Sequence, residues 1–470
     1  MSETSLGAPF AARARGALKD AYLQEALGIA TTKFIGLRRE SFEDFPQGDA
    51  LRDRARAIKE ATLQQLDRHL ERLADNIERL GGRVHWAATG DEARDIILRL
   101  CRDKGVRMAV KSKSMATEEI ELNEALEHAG VKPVETDLGE YIIQLAHEKP
   151  SHIIAPAIHK TKGQVADLFS KELGGRFEAD PEVLTKVART ELRQKFLEAD
   201  MGITGANFAV AETGTVVLVT NEGNGRMVTS LPRIHVAVMG MEKVIPSMTD
   251  LMVFLAILAR SATGQKLSSY TTLVRGPRQP GEMEGPEEFH LILMDNGRTR
   301  QIAGTLREAL YCLRCGACLN VCPVYRQIGG HAYGHTYPGP IGILLTAMLK
   351  GAPSVKELAH ASSLCGACKD VCPVRIDIPR MLVELREHLD TEKIAPWTER
   401  LLFGMARRMM MRPSWFRRGA SVARLAQKPF ARDGRLRALP LFFGKWTATR
   451  DLPAVAEKTF SERWQELRRP

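Results

Sequence analysis

Cys312-Leu-Arg-Cys315-Gly-Ala-Cys318-Leu-Asn-Val-Cys322-Pro323 and, further on, Cys365-Gly-Ala-Cys368-Lys-Asp-Val-Cys372-Pro373 are the stretches on which the reading of this chain turns. Seven of the eight cysteines fall in them, and Cys101 stands alone. The first run has the spacing of bacterial two-cluster ferredoxins. Three thiolates, each two residues apart, can wrap one cubane from three corners. The fourth, three residues later and followed by a proline that turns the chain away, is directed toward another cluster.

This rule predicts two [4Fe–4S] clusters. Cys312, Cys315, Cys318 and Cys372 would hold one, and Cys322, Cys365 and Cys368 the other. The second set is one thiolate short, because the corresponding position is Ser362. Three arrangements stay open for it: a serine or water ligand, a [3Fe–4S] cluster, or a four-iron cluster with an exposed corner iron. Structural zinc fits two tight runs ending in Cys-Pro poorly. A disulfide framework is not expected from cysteines crowded into one part of a chain that opens without a secretory signal.

Length and composition set the surroundings. A chain of 470 residues should hold two or three domains. No apolar run approaches the roughly 20 residues that span a bilayer, and Leu251 to Ala259 reads as a buried helix. The N-terminus carries Glu3 and no apolar core, so a cytoplasmic protein is expected. The net charge of +10 is unevenly spread.

Outward from the cysteines, residues 300–395 read as a mostly α-helical, ferredoxin-type domain. Arg300 to Tyr311 is a predicted helix leading into the first run, and Ile343 to Leu349 an apolar helix in the insert between runs. Residues 1–50 are a lead-in. Residues 51–299 alternate in the manner of an α/β domain with a parallel or mixed sheet. Leu51 to Leu80 has helical periodicity, and Gly81-Gly82 closes it. Strands are predicted at 84–86, 107–110, 131–135, 152–156, 235–239 and 289–294. A strand pair is predicted across the turn at Thr213-Gly214, and helices at 92–102, 118–128, 165–173 and 181–200.

Residues 396–470 form a basic extension. Arg400, Arg407, Arg408, Arg412, Arg417, Arg418, Arg424, Lys428, Arg432, Arg435, Arg437, Lys445 and Arg450 are interleaved with Phe403, Trp415, Phe416, Phe430, Phe442, Phe443 and Trp446. Three uses fit: a charged tail packing over another subunit, peripheral contact with an anionic membrane, and nucleic-acid binding. No sequence-specific nucleic-acid contact is expected.

Chemistry outside the cysteines is sparser. Lys111, Ser112 and Lys113 close a strand just before a helix, where an open α/β sheet places ligands and where an anion is favoured. They form a candidate small-anion site. Glu212 beside Gly214, and Gly223-Asn224-Gly225-Arg226, read as turns. His152 and His159 are separated in a way that fixes no shared face. Neither a phosphate-cradling loop nor a dinucleotide fingerprint is present, so no tightly held flavin or nicotinamide is expected.

Several short stretches carry a family likeness in their order and spacing: Lys111-Ser112-Lys113-Ser114-Met115, Glu135-Thr136-Asp137-Leu138-Gly139-Glu140, Pro150-Ser151-His152-Ile153, Ile158-His159-Lys160 and Ala211-Glu212-Thr213-Gly214-Thr215. Together with the cysteine runs, they make a chain that resembles the iron–sulfur B proteins of bacterial lactate utilization systems over nearly its whole length. The resemblance implies an α/β lactate-utilization domain with a fold like sugar-phosphate isomerases and CoA transferases. It further implies two companion proteins, nicotinamide-independent oxidation of L-lactate to pyruvate, and an electron acceptor in the respiratory chain. This chain would then be a non-catalytic or shared-site electron-transfer subunit; the alternatives are a self-contained 2-hydroxy-acid oxidoreductase and a redox-sensing nucleic-acid-binding protein. The absent eighth cysteine is usual for that family.

Overall fold

The computed structural model describes residues 9–392, 394, 397–439, 444–448 and 450–468. Phe442 and Phe443, and the side chains of Lys445 and Trp446, lie outside the described residues. The chain forms two compact units, one running to residue 389 and one from residue 390.

Among the described residues, the first unit is built on ten strands: β1 (Arg83–Ala87), β2 (Met108–Lys111), β3 (Lys132–Glu135), β4 (Met201–Thr204), β5 (Phe208–Val210), β6 (Thr215–Thr220), β7 (Ile234–Gly240), β8 (Val244–Ile245), β9 (Tyr270–Val274) and β10 (Glu288–Met294). Six of them form a sheet in the order β1-β10-β7-β4-β2-β3, every neighbouring pair parallel. The continuous burial of β7 follows from this, since a parallel sheet is covered on both faces. One face packs Ile203, Val236 and Ile292 against Ala93, Ile97 and Cys101 of the helix Gly90–Asp103 and Leu126 of Leu122–His128. Val110 and Val134 face the other way, toward Phe169, Leu192, Phe196 and Val228. Cys101 is therefore a core thiol, 2% exposed. A second, mixed sheet has the order β8-β5-β6-β9. Phe208 of β5 packs its ring 5.1 Å from Phe254 of the helix Met248–Thr263.

The expected alternation is present, with local differences. The predicted long helix is two, Gly48–Gln64 and Leu66–Arg79, broken where Gln65 leaves helical geometry (φ −129°, ψ 35°). The helix expected at 118–128 is likewise split into Met115–Glu119 and Leu122–His128, with Glu121 left-handed between them. No strand forms at 152–156. His152 Nδ1 accepts the backbone N–H groups of Ile154 and Ala155, which bends the segment instead. The stretch 300–311 holds two 3-10 turns, Thr299–Gln301 and Arg307–Tyr311, rather than a helix. Gly223-Asn224-Gly225-Arg226, expected as a turn, instead opens a short helix, Asn224–Ser230. It crosses β4 so closely that a Cβ on Gly202 would lie 2.0 Å from Val228 O, which is why a glycine sits inside that strand.

The lead-in is structured. Helices Phe10–Ala17 and Ala21–Glu43 clasp the cysteine-rich region: Arg13 Nε donates to Ala332 O, Arg38 Nη2 to Val371 O (3.0 Å) and Arg326 Nε to Thr31 Oγ1. Beyond the sheets, the helices Ala317–Val321, Gly339–Lys350 and Ile378–Thr391 carry the largely helical remainder.

The second unit contains the helices Trp397–Met410 and Pro413–Gln427 and three short strands. Its surface leaves Phe403, Trp415 and Phe416 exposed beside arginines, with Arg412 over the Trp415 ring. Among the described residues, no helix is long and apolar enough to cross a membrane.

Candidate iron–sulfur centre and adjoining cleft

The two cysteine runs fold alike. In each, the residue before Cys-Gly-Ala-Cys is left-handed (Arg314, φ 61°; Leu364, φ 53°), and so is the glycine (Gly316, φ 74°; Gly366, φ 87°). Two such residues flanking Cys315 and Cys365 curl the backbone tightly, and the second position favours glycine because a side chain there is strained. A one-turn helix follows each: Ala317–Val321 carries Cys318, and Ala367–Asp370 carries Cys368.

The runs cross. Cys312, Cys315, Cys318 and Cys372 line one small cavity, walled otherwise by Arg314 and by apolar side chains including Ile153, Ile341 and Ile376. Cys322, Cys365 and Cys368 face one another in a second group. Cys318 also lies within electrostatic reach of Cys368, so the two groups adjoin. Six of these thiols are buried, and Cys365 is exposed. Ser362 Oγ accepts from Leu364 N–H, and the hydroxyl beside the Cys365 thiol is that of Ser363.

Desolvation dominates the thiol chemistry. Burial pushes Cys315 and Cys368 up to about 12 and Cys372 up to about 11. Cys365 is lowered, chiefly by the backbone N–H of Ala367. Thiols this reluctant to ionise stay protonated at neutral pH unless a cation binds them as thiolates. An enclosed set of four and an adjoining set of three, in an apolar shell, are donor sets that fit iron–sulfur clusters. Backbone amides supply part of the outer shell: Arg314 N–H points at Cys312 Sγ and Ile376 N–H at Cys372 Sγ, both at 3.4 Å.

Buried charge surrounds the enclosed group. Arg52 donates from Nε and Nη2 to Cys372 O (3.2 and 2.9 Å), and Lys243 Nζ to Cys312 O (3.4 Å). Glu242 accepts from Arg298 Nε (2.6 Å) and Arg314 Nη2 (3.2 Å), and its carbonyl accepts from Lys59 Nζ. Burial alone would raise the Glu242 carboxyl, but the two guanidiniums outweigh it and hold it at about 2. Lys59 and Lys243 fall to about 7 and about 8, first through burial and then through neighbouring cations. Sequence reasoning missed this network. Its one local signal is a Glu-Lys pair two residues past a fully buried strand.

Next to the enclosed group, between it and the carboxyl ends of β2, β4 and β7, lies a cleft of about 350 Å³. Of the sequence-predicted anion residues, Ser112 and Lys113 line it and Lys111 does not. Lys111 Nζ lies 2.6 Å from Glu135 Oε1 and 2.5 Å from Asn123 Oδ1, because the β2–β3 register sets Lys111 opposite Glu135. His152 is buried against Gly316 and kept neutral, burial lowering it to about 3. His159 sits apart from it, 2.7 Å from Glu148. Glu212 accepts from Met248 N–H, a turn contact.

Comparison with known proteins matches this architecture. Residues 70–294 match the LUD domain family, and residues 308–376 the 4Fe-4S dicluster domain family. Lactate utilization protein B of Bacillus licheniformis is 45% identical over 465 residues, covering 98% of this chain and 97% of that protein. The protein of the same name from Shouchella clausii is 44% identical over 98% of this chain and 97% of its own. That of Bacillus subtilis strain 168 is 43% identical over 96% and 95%. A crystal structure of a DUF162 family protein from Deinococcus radiodurans aligns with 49% of this chain and 98% of its own, at 13% identity and a TM-score of 0.27. With relatives this similar matching it from end to end, the chain belongs to the lactate utilization protein B family, a LUD domain joined to a 4Fe-4S dicluster domain.

Proposed function

We propose that this chain is the electron-carrying iron–sulfur component of a lactate-oxidising system, acting with two companion proteins and a respiratory-chain acceptor in place of a nicotinamide. Cys312, Cys315, Cys318 and Cys372 would hold one [4Fe–4S] cluster. Cys322, Cys365 and Cys368 would hold the second, its fourth position taken by a serine or water, left as an open corner, or absent in a [3Fe–4S] form. Each cluster, when bound, takes up and releases one electron.

The observation that carries this reading is the juxtaposition of two thiol groups, one enclosed and one reaching the surface at Cys365. The polypeptide's part is insulation and charge. Apolar walls keep water from the enclosed thiols, while Arg52, Lys243 and Arg314 offset negative charge there. The exposed group offers the shorter route to an outside partner. The α/β part is read as sugar-phosphate isomerase-like or CoA transferase-like, in keeping with its parallel sheet. The basic second unit, with its exposed aromatics, is read as a docking surface for a companion subunit.

The test is anaerobic electron paramagnetic resonance with redox titration, on the chain alone and with its companions, before and after L-lactate. Two cluster signals with distinct midpoints, changed by lactate only when companions are present, are expected. Absence of iron and acid-labile sulfide from anaerobically purified protein would refute the reading.

A further inference from the structure

We propose that the cleft beside Cys315 binds a short 2-hydroxy or 2-oxo carboxylate, gripped by Lys113 from the sheet side and Arg314 from the cysteine loop. The choice of acid rests on the function proposed above; the grip rests on geometry alone.

Lys113 Nζ and Arg314 Nη1 are both buried, and neither has a hydrogen-bond partner. Both residues line the same cleft. A buried cationic donor without an acceptor is costly and uncommon, and two such donors on residues that line one cavity mark a place for an anion. Arg314 is held for the purpose. Its Nη2 is taken by Glu242, its guanidinium lies over the Tyr337 ring at 4.9 Å, and its backbone N–H is fixed on Cys312 Sγ. Nη1 is the donor left over.

Lys113 faces the carboxylates of Asp137 and buried Glu140 as counter-charges, and the other carboxylates nearby are engaged elsewhere. Glu242 is saturated by Arg298 and Arg314. Asp137 caps the helix Leu138–Leu145 by accepting Glu140 N–H. Glu222 accepts Leu138 N–H, and burial followed by Asp137 pushes its carboxyl up to about 7, so much of it is neutral at physiological pH. Ser112 adds a hydroxyl on the Lys113 wall, suited to a 2-hydroxyl or 2-oxo group. Leu218, Met239 and Leu258 supply apolar wall for a short alkyl chain.

Size limits the guest. About 350 Å³ is at the low end for small-molecule sites, roomy for an acid of a few carbons and too small for a dinucleotide. Position gives it meaning: Cys315 and Arg314 line both this cleft and the cavity among the four thiols. A ligand here would stand one residue away from the enclosed group.

Isothermal titration calorimetry on the anaerobically purified, cluster-loaded full chain tests the idea, with sodium pyruvate and L-lactate as probes and chloride as control. One-to-one saturable binding of at least one acid is expected. Lys113→Met and Arg314→Gln should each weaken it by about tenfold or more, the scale of losing one charge-assisted contact. Pyruvate should also shift one cluster's paramagnetic signal. No saturable binding by the loaded wild-type chain overturns the proposal, and so does equal affinity in wild type and both variants. If Arg314→Gln loses iron, Lys113→Met and the wild-type titration still decide. Clusters that titrate reversibly in a chain that binds no acid would leave the electron-carrying role standing and remove the cleft. Acid binding by a chain whose clusters cannot cycle would do the reverse.

Discussion

Replacing Lys111 by Met should destabilise the first unit by about 3–5 kcal/mol, the range for removing one partner of a buried ion pair. Lys111 and Glu135 are 1% and 4% exposed at their side chains and 2.6 Å apart, and Met keeps most of the apolar stem. The loss is therefore electrostatic and leaves little cavity. An unfolding entropy of about 2.1 cal/mol/K per residue over a unit of this size gives roughly 1–1.5 °C per kcal/mol, or a fall in Tm of about 4–6 °C. Burial alone would lower the Lys111 ammonium, but Glu135 and Glu118 outweigh it and raise it above its ordinary value. The wild-type pair therefore contributes fully across pH 6–9 and is lost only as pH rises through that raised value. In the variant, the unpaired carboxylate is relieved by taking up a proton. The gap in Tm between wild type and variant should thus be wider at pH 8 than at pH 5.5. Anaerobic differential scanning calorimetry reads both effects. A second replacement, Glu135→Met in the Lys111→Met background, should restore most of the loss, because apolar substitutes for a buried pair are often neutral. A Tm change under 1 °C for the single variant, or no recovery in the double, would refute the reasoning. The same experiment separates Lys111, a structural cation, from Lys113.

Three other outcomes are expected. Cys372→Ala should abolish the same paramagnetic cluster signal as Cys312→Ala, and Cys322→Ala the other one; loss of a signal in the pattern of uncrossed runs would contradict the ligand sets. Gly316→Ala should lower iron and acid-labile sulfide content, since φ is +74° there and the new Cβ would meet His152 Cε1 at 2.8 Å; full cluster content would show that the loop yields. Arg52→Met removes charge-assisted bonds to the carbonyls of Cys372 and Asp370. It should cost about 2–4 kcal/mol and speed iron release to a chelator, followed by absorbance, whereas unchanged release would place the grip elsewhere.

The cysteine spacing was legible because ligand reach is local. So was most of the α/β alternation, because helical periodicity and apolar strand runs are local as well. β4, β8 and β9 were not read. β8 is two residues long, β4 holds a glycine that only the crossing helix explains, and β9 is largely exposed. The segment 152–156 has strand-like composition, yet the His152 ring claims its backbone amides. The charge network at Glu242 was invisible for another reason. Lys59 reaches it across 183 residues of chain, and no local pattern marks a lysine that tertiary packing will bury. Lys113 was picked from its strand end, while its counterpart Arg314 looked like an ordinary spacer between two cysteines.

The clasp of the N-terminal helices has a consequence in time. Arg38 meets Val371 across 333 residues. At bacterial elongation speeds of about 5–20 residues per second, the ribosome needs roughly 15–70 s to make the stretch between them. Throughout that interval Ala21–Glu43 lacks the cysteine-rich part of the surface it will cover, although the helix Met248–Thr263, which also packs on it, is made earlier, and both cysteine runs emerge only near its end. Closure of the clasp thus waits until residue 371 is made, with 99 of the 470 residues still to come, which leaves the thiols accessible to a cluster donor up to that point and shuts them in afterwards.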